Sequence, residues 1–204
     1  MDSGITVTGT GEASAPADVL HLSLSIGHDA ADVAAAVAAV AERTDAVTAA
    51  LRGQGVAATD IRTSAVNVYP QYADSMRVAG YRASHSLTVS TTDLDDFGRL
   101  LKAAVDAIGN DLSVEQLSFD VRDKTGLLEQ ARHSAFTQAR EKARQLAGLA
   151  DRPLGDIEAV EETHGGHYPI RQQAKADLSL SPELAVAPGE QTVEASLTVR
   201  WSWA

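Results

Sequence analysis

Apolar side chains recur every second residue in some stretches of this 204-residue chain and every third or fourth residue in others. The two periods separate strands from helices. Leu20, Leu22, Leu24 and Ile26 alternate with His21, Ser23 and Ser25, as in a sheet with one buried face. A shorter run, Ile5 and Val7 with Thr6 and Thr8, precedes it, and Gly9, Gly11 and Pro16 are expected to separate the two. From Asp32 to Leu51 the period lengthens. Val33, Val37, Val40, Thr44, Val47 and Leu51 then share one side of a helix that Gly53 stops.

Ala65 to Tyr72 and Tyr81 to Val89 read as a hairpin joined through ADSMRVAG, with Tyr81, Ala83, His85, Leu87 and Val89 on one face. A second helix follows Thr92 and Asp93, with Asp95 and Asp96 in its first turn and Leu94, Phe97, Leu101, Val105 and Ile108 as its apolar stripe. LSVEQLSFDV is a further strand, with Leu117, Phe119 and Val121 turned inward. Asp123 then caps a long third helix that reaches about Leu149, before Pro153. Leu154 to Glu162 and Val193 to Trp203 are the last two strands.

The order β-β-α-β-β-α-β-α-β-β mixes hairpins with helical crossovers. It predicts an α+β fold, a largely antiparallel sheet covered by about three helices. One domain over residues 1–204 is expected, with a long flexible loop at about 163–190; two subdomains sharing a sheet are the alternative.

Composition narrows the function more than it names one. A hydrophobic share of 44% with 22% charged residues suits a folded, soluble protein. The net charge of −11 repels phosphate backbones, so no nucleic-acid partner is expected. The absence of cysteine removes disulfides, thiolate nucleophiles and thiolate-held zinc. No run approaches the roughly 18 apolar residues of a membrane span, so no integral membrane segment is expected. The first residues lack the basic and apolar regions of an export signal, so the chain reads as cytoplasmic; a signal removed beforehand would make it periplasmic or secreted.

Four stretches in order carry a family resemblance: ITVTGTGEASAPAD from Ile5, TDIRTSAVNVYPQY from Thr59, GYRASHSLTV from Gly80 and PGEQTVEASLTVRW from Pro188. Together they make the chain resemble the SIMPL-domain family of bacterial proteins. The resemblance implies an α+β fold, ring-like or channel-like oligomers in some members, and links to oxidative-stress protection or to secreted immunogens. It implies no catalytic mechanism and no cofactor. The segment from Thr163 to Pro188 departs from the family pattern, which is often rich in proline and methionine there.

Chemistry has few candidates. In THGGHYP, His164 and His167 offer two imidazoles that the intervening glycines would let converge on nickel, copper or zinc, with Glu161, Glu162 or a second subunit completing the set. The plainer reading is a polar loop. His85 is either a buried base or a core histidine with one hydrogen-bond partner, while His21, His28 and His133 have no partner that spacing identifies. Tyr69, Tyr72 and Tyr81 form an aromatic platform or simply pack across strands. Trp201 and Trp203 either seal the core or anchor a neighbouring subunit. GTGE, Gly9 to Glu12, reads as a turn, since it lacks the third glycine and Lys-Ser/Thr pair of a phosphate loop. Asp95-Asp96 and Glu161-Glu162 read as a helix cap and a solvated edge. No nucleophile and base can be named, so the expectation is a non-enzymatic homo-oligomer without cofactor. The alternative is a metal- or partner-binding module that uses the 163–188 loop.

Overall fold

A computed structural model describes residues 4–73, 77–163 and 188–204. Ten main elements follow in the order the periodicity predicts: β1 (Gly4–Pro16), β2 (Val19–Ala30), α1 (Val33–Gly53), β3 (Ile61–Tyr72), β4 (Val78–Thr91), α2 (Phe97–Ile108), β5 (Leu112–Asp120), α3 (Thr125–Leu149), β6 (Leu154–Thr163) and β7 (Glu190–Trp203). The architecture is α+β, with three helices and antiparallel strands in two sheets. Residues 18–120 make one unit; residues 4–17, 121–163 and 188–204 make the other.

In the first unit the strand order is β3-β4-β2-β5, and every pair is antiparallel. The alternation of β2 places Leu20, Leu22, Leu24 and Ile26 at full burial, beside Leu87 and Val89 of β4 and beneath α1 and α2. Asp32 opens α1 by accepting the Ala35 N–H at 2.9 Å. The buried side of α1 is Ala36, Val40, Thr44, Val47 and Leu51. Val33 and Val37 are exposed, contrary to expectation, and Ala36 is the buried residue of the first turns. The second helix begins three residues later than its cap signals suggest. Thr91 and Asp93 hold the N–H groups of Asp93 and Asp95 in a turn, so regular helix starts at Phe97. Its buried residues are Phe97, Leu100 and Ala104, with Val105 exposed.

In the second unit the order is β1-β7-β6, again antiparallel, with α3 against β1 and β7. Ala131, Ala135, Ala139, Ala143 and Ala147 recur every fourth residue along the buried side of α3. They meet a strand face that is equally small. A Cβ at Gly9 would collide with the Ala135 carbonyl oxygen and Ala139, and one at Gly11 with the Ala131 carbonyl oxygen. GTGE is therefore strand interior and not the turn expected, since missing side chains here admit a helix and do not reverse the chain. Val121 lies outside β5 and packs with Leu127, Ala131, Val193 and Ala195. Trp201 is buried beside Val7 and Val199 and seals this core. Trp203 is half-buried and carries the Arg152 guanidinium 5.7 Å from its ring centroid.

Candidate functional site

A sheet that ends in open edges must protect them, because unpaired N–H and C=O groups template further pairing. The four described edge strands differ in how they do so. At β1 the protection is direct: Gln138 Oε1 accepts the Thr10 N–H at 2.8 Å, and Lys142 Nζ donates to the Thr8 carbonyl at 3.0 Å. These two side chains stand one turn apart on α3 and occupy the groups that another strand would use. On β6 the register with β7 slips twice and Asp156, Glu158, Glu161 and Glu162 line the strand. On β5 a bulge at Glu115 breaks the ladder with β2 and adds a carboxylate.

The fourth edge, β3, lacks these devices at its centre. From Ala65 to Gln71 its register with β4 is regular, and from Ala65 to Tyr69 it has neither charge nor proline. Val66 lies opposite His85 and Val68 opposite Ala83, so both valines are on the helix-covered side of the sheet. Yet α1 packs chiefly on β4 and β2 and leaves them open to solvent. Val66 is 64% and Val68 39% exposed, and Val33 and Val37 on α1 are each 44% exposed. Thr44 turns toward His85 of β4, and Val37 stands two turns before it on α1. The result is an apolar strip along an unguarded strand.

The histidines serve the same unit as connectors. His85 is not limited to one partner: Thr44 Oγ1 lies 3.1 Å from Nδ1 and Thr63 Oγ1 lies 2.9 Å from Nε2, linking α1, β4 and β3. Both ring nitrogens are thereby engaged within the fold. His28 Nδ1 is 3.1 Å from Asp111 Oδ2, which also accepts from Arg43 Nε. Partial burial pushes the Asp111 carboxyl up, but hydrogen bonds from Arg43 and His28, with their charge, outweigh it and hold it below the ordinary value. His21 Nδ1 meets Ser90 Oγ at 2.9 Å, and Ser86 donates to Glu115 at 3.3 Å.

The tyrosines do not form one platform. Tyr81 is opposite Pro70 and packs against the core, whereas Tyr69 is opposite Arg82 on the other face and Tyr72 is exposed. Glu162 pairs with Arg132 at 2.9 Å, and Asp96 pairs with Arg99. His133 is exposed on α3. His164 and His167 lie outside the described residues, as does the rest of the 164–187 segment. Among the described residues no three histidine, aspartate or glutamate side chains gather as metal ligands. No helix among them is long and apolar enough to cross a membrane.

Two antiparallel sheets, one under α1 and α2 and one against α3, with an uncharged open edge at β3 and histidines that tie elements together, make an α+β architecture among the described residues. The chain belongs to the SIMPL family, described as a protein of unknown function (DUF541), whose model matches residues 5–201. It is similar to the 26 kDa periplasmic immunogenic protein of Brucella melitensis, at 29% identity over 96% of this chain and 82% of the relative. It is 28% identical to the uncharacterized protein YggE of Escherichia coli K12, over 85% of this chain and 72% of the relative. None of these names states a reaction. The expected cytoplasmic location is overturned by the periplasmic naming of the Brucella relatives. An opening segment without an export signal is a poor guide to compartment.

Proposed function

We propose that this protein is a non-enzymatic, self-assembling protein of the bacterial periplasm, with a protective role at the envelope. The observation that carries the reading is the contrast among edges: three described edges are blocked, slipped, bulged or charged, and β3 is none of these between Ala65 and Tyr69. Natural sheets seldom leave such a strand open without a use for it. Covering Val66 and Val68 would contribute about 1 kcal/mol each, from half-burial of a valine. The engagement of both His85 nitrogens and the Arg43 clamp on Asp111 support a structural use of these groups over catalysis. The periplasmic placement rests on the naming of the Brucella relatives.

Light scattering on the intact protein tests the reading. A particle of two or more chains at tens of micromolar is expected, and a clean monomer across that range overturns it.

A further inference from the structure

Resting on the assembly reading, we propose that two chains join β3 to β3, antiparallel, about a two-fold axis at Asn67, to form one continuous eight-stranded sheet.

The sequence of β3 selects this axis. Counting outward from Asn67, Ser64 and Pro70 are each three residues away. Ser64 is the residue that the ladder with β4 skips, and Pro70 has no N–H to give. With the axis at Asn67, Ser64 of one chain lies opposite Pro70 of the other, so both disruptions coincide and the regular stretch Ala65 to Tyr69 maps onto itself. Val66 then faces Val68 of the second copy, twice over, and the small Ala65 faces the large Tyr69 on the opposite side of the sheet.

Neighbouring registers lose these matches. An axis at Val66 sets Val68 against Ser64, and an axis at Val68 sets Val66 against Pro70. An axis midway between two residues turns one chain over, so the valines of the two chains fall on opposite faces. Only a whole-residue axis keeps α1 of both chains on one side of the joined sheet. Charge agrees with the choice: in a chain of net charge −11, residues 65–72 hold no ionisable acid or base other than tyrosine, so no like charges are brought together.

The absence of cysteine allows a clean test. Asn67→Cys, Arg62→Cys and Tyr72→Cys, each carrying a nitroxide label, are measured by electron resonance in the intact protein, through continuous-wave line broadening at 67 and pulsed dipolar spectroscopy at 62 and 72. Expected Cα separations across the axis are about 5 Å at 67. At 62 and at 72 they are roughly 34 Å, ten residues along the strand at about 3.4 Å each. Labels at 62 and 72 lie outside the paired stretch, so they report the register even where a label at 67 perturbs it. An oligomer whose separations do not pass through a minimum at 67 overturns this pairing while leaving assembly standing; a monomer overturns both. Val66→Lys places an ammonium in the strip and is expected to weaken association at least tenfold with an unchanged circular dichroism spectrum. An unaltered particle mass for that variant overturns the proposal.

Discussion

Gln138 accepts the backbone N–H of Thr10 through Oε1 at 2.8 Å, a contact across 128 residues of sequence that leaves the edge of β1 without a free donor at that point. Lys142 Nζ donates to the Thr8 carbonyl and occupies an edge acceptor. Replacing both by alanine is expected to cost about 1 kcal/mol for each neutral or charge-assisted bond lost. It should also raise light scattering with time at high concentration, because the edge becomes a template. A double variant that stays clear and keeps its midpoint would refute this role.

Gly9 and Gly11 admit α3 to β1. Gly9→Ala and Gly11→Ala each place a methyl where backbone atoms of α3 already stand, and α3 must retreat. A loss of about 1–3 kcal/mol for each is expected from overpacking. Urea denaturation measures it, and wild-type midpoints would show that the helix is not seated there.

Asp111 sets a pH dependence. Its folded carboxyl lies below the ordinary value of 3.8, so the unfolded chain takes up a proton first as pH falls. The stability it contributes is fully present above about pH 5 and is lost as pH drops through the lowered folded value. Asp111→Asn is expected to cost about 1 kcal/mol at pH 7, a modest figure because the pair is partly exposed. The gap between wild type and variant should narrow as pH falls below 3.8 and toward the lowered folded value. A gap that stays constant through that fall would assign the loss to packing.

The two threonines on His85 should differ in effect. Thr44 is buried and Thr63 exposed. Thr44→Val leaves the Nδ1 side without a partner and is expected to cost about 1–2 kcal/mol. Thr63→Val lets water replace the lost hydroxyl at Nε2, at well under 1 kcal/mol. Equal losses would contradict the asymmetry.

Much of this fold is legible in the chain because β2 and β7 alternate without interruption and the helices carry long apolar stripes. The errors lie where a residue's meaning depends on its neighbour in space. Gly9 and Gly11 look like a turn until Ala135 and Ala139 are set against them, and Val37 looks inward until α1 is found to stop short of β3. The partition of antiparallel strands into two sheets follows from pairings such as Thr8 with Thr198, which no local pattern encodes. For the candidate site, His85 and the hairpin were visible in the sequence, but the open edge was not. An edge is defined by which strand lacks a second neighbour, and that is a property of topology.

The pairing of β1 with β7 governs how the chain is made. Residues 18–120 form their sheet from one unbroken stretch, and that stretch can fold while synthesis continues. Gly4 meets Ser202 and Pro16 meets Glu190, so the thirteen-residue β1 leaves the ribosome without its β7 partner until residues 190–202 have followed. During that interval Ile5 and Val7 are bare. A carrier that shields nascent strands, or export of the chain before it closes, would suit this order of events.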